Sequence, residues 1–160
     1  MFRCFSLAAL LLSACGGGSG SYDSPAPSGP PAPQLALLAG NVGASGSADG
    51  TGAAARFNSP TGLAIDSAGN LYVADFANHT IRKVTPAGLV TTLAGDANGI
   101  GSNDGLGSAA QFKLPHGVAV DSAGNVYVSE WSDHTVRKVT PLGLVTTLAG
   151  RVGACGGDDG

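Results

Sequence analysis

Between residues 61 and 95 the chain alternates short runs rich in Val, Ile, Thr and Tyr with clusters of turn-forming residues. "TGLAID", "NLYVADF", "TIRKVT" and "LVTTLAG" read as four β-strands, since β-branched and aromatic residues suit a pleated surface. "SAGN", "ANH" and "PAG" divide them, and connections this short join neighbouring strands into an antiparallel meander. The second strand has Leu71 and Val73 on one side and Tyr72 and Ala74 on the other, so both of its faces are largely apolar. Such a strand is covered on both faces. A lone four-stranded sheet leaves one face bare, whereas a sheet packed between two copies of itself does not.

The chain supplies the copies. "NHTIRKVTPAG" at 78–88 returns as "DHTVRKVTPLG" at 133–143, and "LAG" recurs at 38, 93 and 148, a period of 55 residues. Asp49, Asp104 and Asp159 keep the same period, and 24 of 35 positions are identical between 61–95 and 116–150. A period of this length belongs to stacked units or propeller blades, and two-faced burial favours blades set radially about an axis. The expected fold is therefore all-β: a β-propeller of four-stranded antiparallel blades, about two of them within residues 35–160. "QLALLAG" at 34–40 matches only the outermost strand of a blade, an orphan whose three partners must come from elsewhere.

The residues "FNSPTGLAIDSAGNLYVADFANHTIRKVTPAGLVTTLAG" resemble the NHL repeat of bacterial β-propeller proteins. The pattern P-x-G-x-A-x-D-x-x-G-N-x-Y-V-x-D/E-x-x-N/D-H-x-I/V-R-K holds twice in phase. The resemblance implies a propeller, usually six-bladed, that serves most often as a binding platform and occasionally as an enzyme. Two blades leave two apolar faces bare, and repeat arrays need about three units for stability. These 160 residues are thus expected to be a fragment of a longer propeller, or to close a ring with other copies of the chain.

The first residues tell of export. Arg3 precedes the apolar run "FSLAALLLSA", too short for a permanent membrane span of about 20 residues, and "LSAC" sets small residues before Cys15. This resembles a lipobox, so 1–14 is expected to be a lipoprotein signal peptide and Cys15 the site of lipid attachment; the alternative is a plain secretory signal. Residues 15–34 are rich in Gly, Ser and Pro and read as a tether reaching roughly 25 Å as a coil and about 60 Å if extended. Gly16 after the acylated cysteine resembles lipoproteins of the outer membrane. Without Arg3, seven basic and eleven acidic residues give a thinly spread net charge of −4, which excludes the footprint of a nucleic-acid binder. Cys155 is left without a partner in the sequence.

If the strands run outward from the axis, the turn after the second strand and the long loop between blades emerge on one face, where ligands are expected. His79 and His134 recur there, and identical residues in identical places point to a turn role rather than a shared metal. Asp75/Glu130 and Arg82/Arg137 repeat as strand-end hydrogen bonds or cross-strand ion pairs. Positions where the repeats disagree are freer to serve function: Arg56, Asn58, Ser59 and Thr61 become Gln111, Lys113, Leu114 and His116. The candidate binding face is thus Arg56, Asn58, Thr61, His79, Gln111, Lys113, His116, Trp131 and His134. "PHGVAVD" around His116 is similar to the propeller of peptide-amidating lyases, in which such a histidine binds zinc; Thr61 holds the same slot one blade earlier, and zinc needs three or four ligands. In "DANGIGSNDG", Asp96, Asn98, Asn103 and Asp104 miss the EF-hand spacing and read as loop formers. No cofactor and no catalytic residue is assigned. The expected protein is a lipid-anchored extracytoplasmic propeller that binds a protein, peptide or glycan, with a metal-dependent lyase or lactonase as the rival.

Overall fold

The computed structural model describes residues 36–153; the signal, tether, Cys15 and Cys155 lie outside them. Ten strands form two antiparallel sheets. The first contains β1 (Gly50–Thr51), β2 (Pro60–Ile65), β3 (Leu71–Asp75), β4 (Thr80–Val84) and β5 (Leu89–Gly95). The second contains β6 (Gly105–Leu106), β7 (Pro115–Val120), β8 (Val126–Glu130), β9 (Val136–Val139) and β10 (Leu144–Ala149). Strand orders are β1-β5-β4-β3-β2 and β6-β10-β9-β8-β7. Each blade is the expected four-strand meander, with a correction at its edge. A two-residue fifth strand from the preceding loop pairs with the outer strand, Gly50 opposite Val90 and Gly105 opposite Val145, and covers part of an edge otherwise open to pairing. Residues 36–40, the described part of the stretch 34–40 read as an orphan outer strand, hold no strand conformation; the Gly40 N–H donates to the Gly52 carbonyl at 3.0 Å, and a strand needs a neighbour paired along its length to satisfy its backbone.

The sheets stack face to face. Tyr72, Ala74 and Ile81 of the first blade meet Phe112, Val126, Val128 and Val139 of the second in one buried cluster, so the second blade covers one face of β3; on the other face Val73 packs in a smaller cluster with Ala55, Val84 and Val90, and Leu71 is only half-buried. The blades converge at β2 and β7, while the outer strand β5 meets the 3-10 turn Gly107–Ala109 of the next blade's loop. At the convergent edge Thr61 Oγ1 donates to the His116 carbonyl at 3.0 Å.

The tight turns at one end are built alike. Asp66 accepts from the backbone N–H groups of Ala68 and Asn70, the Asn70 amide and the Tyr72 hydroxyl; Asp121 does the same with Ala123, Asn125 and Tyr127. The Asn70 amide above all, working against desolvation and helped by the other donors, holds the Asp66 carboxyl below the usual carboxylate range, and Asn125 does so for Asp121. A depressed folded pKa adds stability above the unfolded value, and that stability is lost as pH falls from about 4 through the folded value. The double variant Asp66→Asn, Asp121→Asn is therefore expected to flatten the acid side of the stability profile. Urea midpoints at neutral and acid pH check this; an unchanged acid loss would refute it.

Candidate functional site

The other end of the blades carries the longer loops. The Ala77 N–H donates to the Asn58 carbonyl at 3.1 Å and the Trp131 N–H to the Leu114 carbonyl at 3.1 Å, so inter-blade loop and hairpin share one face as expected. Beneath that face each blade holds a buried arginine. Arg82 is fully buried; its Nη1 meets Asp75 at 2.8 Å and its Nη2 meets Asp49 at 2.7 Å. It also donates to the carbonyls of Arg56 and Ala48 and lies over the Phe57 ring. Arg137 repeats the pattern with Glu130 at 3.0 Å, Asp104 at 2.6 Å, the carbonyls of Gln111 and Asn103, and Phe112. Buried charge is tolerated only when paired and hydrogen-bonded, and a planar guanidinium can tie two carboxylates and two carbonyls at once.

The paired ions explain one set of differences between the repeats. Asp75 is short, and Asn78 completes its shell by donating to Oδ2 at 2.8 Å and to the Gly46 carbonyl at 2.7 Å; the Thr80 hydroxyl is left without a partner. Glu130 is one methylene longer and reaches the Thr135 hydroxyl at 2.6 Å. Asp133, in place of Asn78, turns instead to the Ser102 hydroxyl and to Lys113 Nζ at 3.5 Å.

Arg56, Asn58, Gln111 and Lys113 therefore stand where backbone serves the scaffold. The carbonyls of Arg56 and Gln111 accept from the buried arginines, and the N–H groups of Asn58 and Lys113 donate to Asp75 and Glu130. The Arg56 guanidinium reaches the carbonyls of Ala53 and Ala55, and the Gln111 amide oxygen accepts from Asn103. His79 and His134 both adopt left-handed backbone, φ 56° and 58°, a conformation costly for most side chains, at the exit of the hairpin turn. His79 Nδ1 accepts from the Leu114 N–H at 3.4 Å across the blades, and burial lowers its pKa. In the long loop, Asp104 is held by Arg137 and Thr147, while Asp96 accepts from the Asn98 N–H.

The structure brings together three aromatic rings. His116 packs edge-on to Phe76 at 6.3 Å and tilted against Trp131 at 5.7 Å. Trp131 is 67% exposed. Phe76 and Trp131 occupy the same place in successive blades, so His116 sits in the groove between blades with an aromatic ring on each side. The sequence comparison marked His116 and Trp131; it missed Phe76 because their meeting depends on how the blades pack. Among the described residues, no cluster of three or more His, Cys, Asp or Glu is placed to hold a metal ion.

Two meandering blades stacked face to face and converging on their first strands define a β-propeller. The chain carries NHL repeats: the family model matches residues 57–84 and 112–139, one repeat in each blade. It is thus an NHL-repeat β-propeller protein. Human NHL repeat-containing protein 2 is 36% identical over 102 residues, covering 61% of this chain and 14% of that protein. An auxiliary nutrient binding protein from Bacteroides thetaiotaomicron superposes with a TM-score of 0.57 at 30% identity, over 68% of this chain and 28% of its own. Another auxiliary nutrient binding protein, from Bacteroides ovatus, gives 0.56 at 29% identity, over 70% and 28%. The chain spans only 9% to 14% of the lengths of the curated relatives it matches.

Proposed function

We propose that the protein is a lipid-anchored, extracytoplasmic binding module whose loop-rich face engages a protein, peptide or glycan without catalysis. The observation that carries this reading is the Phe76, His116 and Trp131 cluster in the groove between blades. A tryptophan left largely in solvent against a histidine that also packs on a phenylalanine offers a rigid apolar platform with polar edges, the surface that recognition sites favour. The two auxiliary nutrient binding proteins of similar fold support a binding role. Domain limits of 1–14 for signal, 15–34 for tether and 35–160 for blades, with Cys15 acylated at the outer membrane, complete the proposal.

Two substitutions test its two halves. Cys15→Ser is expected to release the protein from membranes; association that persists once the signal is cleaved would refute the anchor. Ligands found by screening glycan and peptide arrays are expected to bind Trp131→Ala about tenfold or more weakly, the scale of an aromatic hot spot. Unchanged affinity would place the site elsewhere. Stoichiometric zinc that disappears in His116→Ala would instead favour a metal-dependent enzyme.

A further inference from the structure

Two hairpins on the loop-rich face, one from each blade, are joined through a single residue. The His79 ring, half-buried at the exit of the first blade's hairpin turn, accepts the Leu114 N–H at Nδ1, 3.4 Å away. The Leu114 carbonyl in turn accepts the Trp131 N–H at 3.1 Å, and the Trp131 ring lies against His116. Leu114 is the weak point of this relay. Its φ of 57° is left-handed, a region that leucine avoids, and Pro115 follows it, which biases the preceding residue toward extended backbone. Leu114 keeps this conformation because both of its backbone polar groups are held, the N–H from the first blade and the carbonyl from the second. In the first blade the corresponding tie falls one residue away, from the Ala77 N–H to the Asn58 carbonyl, and Asn58 is not left-handed. The relay thus belongs to the seam between these two blades.

We propose that His79 is a positioning residue for the aromatic groove and that protonation of its ring is a switch: the neutral ring holds Leu114, and through it Trp131 against His116, whereas the imidazolium releases them. The chemistry is that of a lost acceptor. A neutral imidazole accepts at one nitrogen and donates at the other, while the imidazolium only donates, so a protonated Nδ1 sets a hydrogen against the Leu114 N–H. With that bond gone, Leu114 leaves the left-handed region and its carbonyl turns away from Trp131. The charged groups on the surrounding elements are committed elsewhere. On its own hairpin, Asp75 is tied to Arg82 and Asn78. β5, whose end packs against the His79 carbonyl at Gly95, leads into Asp96, which accepts from the Asn98 N–H. Across the seam Lys113 is paired with Asp133, and Glu130 with Arg137. Among the described residues none of these bonds to the His79 ring, and burial pushes its pKa below the ordinary histidine value of about 6.5. A lowered value keeps the ring neutral at neutral pH, so the bond is intact above about 6.5 and is lost as pH falls through the folded value. That the groove binds a ligand rests on the function proposed above; the relay does not.

The test is nuclear magnetic resonance of the isotope-labelled full chain, carrying Cys15→Ser to exclude lipid and titrated from neutral pH into mild acid without ligand. The backbone amides of Leu114 and Trp131 are expected to shift together with the His79 ring, below about 6.5. Proton–proton contacts of the His116 ring with Phe76 and Trp131 are expected to fade over the same range. His79→Asn removes the titrating group but keeps an acceptor near the place of Nδ1 and a residue that tolerates left-handed backbone; amides and ring contacts are then expected to hold steady. In His116→Ala, which removes the other histidine of the groove, the two amides are still expected to titrate with His79. Amides that do not move in the wild type, ring contacts that persist once His79 is protonated, or a transition that survives His79→Asn would each overturn the proposal. A transition abolished by His116→Ala would also overturn it, assigning the response to His116. Because no ligand enters the experiment, its failure leaves the binding reading to the Trp131→Ala test above.

Discussion

Arg82→Met is expected to cost about 3–5 kcal/mol of folding stability, the scale of breaking a buried ion pair from one side. The loss comes from what the arginine leaves behind. Asp75 is wholly buried; without Arg82 it retains only the Asn58 N–H and the Asn78 amide, two donors for a full charge. Asp49 and the carbonyls of Ala48 and Arg56 lose their shared donor at the same time, so the loop before β2 comes adrift from β4. If uncompensated charge dominates, adding Asp75→Asn to Arg82→Met restores part of the loss, because a neutral amide is cheaper to bury than an unpaired carboxylate. Denaturant midpoints of the two single variants and the double variant decide the matter. Losses that merely add would show that the pair is not coupled. The same relation is expected between Arg137 and Glu130 in the second blade.

Gly62→Ala is expected to destabilise by about 1–3 kcal/mol as an overpacking change, at the upper end because backbone obstructs the new methyl. A Cβ at Gly62 runs into the His116 carbonyl oxygen and lies 3.0 Å from the Val118 nitrogen and 3.1 Å from the Gly117 Cα. None of these can rotate away, so the seam between β2 and β7 must open. Gly117 is the equivalent glycine one blade later, and a Cβ there comes within 3.0 Å only of the Ser129 hydroxyl at 2.7 Å, a side chain able to turn. Gly117→Ala is therefore expected to cost much less in the monomeric chain. Thermal unfolding of both variants at high dilution measures the difference; equal losses would mean that close packing of the blades is not the cause.

Strand positions, turn chemistry and the blade repeat were legible from local pattern alone. Residues 71–74 announced a doubly covered strand because both of its faces are apolar, and "SAGN" announced a turn because Ser, Gly and Asn suit turn backbone. The arginine network was half legible: Arg82 with Asp75 lies within one hairpin, and the repeat placed Asp49 and Asp104 in phase. Joining Asp49 to Arg82 across 33 residues required knowing that the inter-blade loop folds back beneath the hairpin. That same fold-back explains why positions differing between repeats, such as Arg56 and Gln111, lend their backbone to the scaffold. A carbonyl has the same chemistry whatever side chain it bears, so those positions vary while their structural duty does not.

By itself the sequence determined the blade: alternation of strand and turn is a local property, and repeating it at 55 residues makes each unit the natural partner of the next. What tertiary structure alone decided lies between blades. The meeting of His116 with Phe76 and Trp131 and the fit of Gly62 against the backbone of β7 both depend on the angle and distance at which two sheets stack. That geometry is set by the summed packing of many side chains on both faces, and no single stretch of residues encodes it.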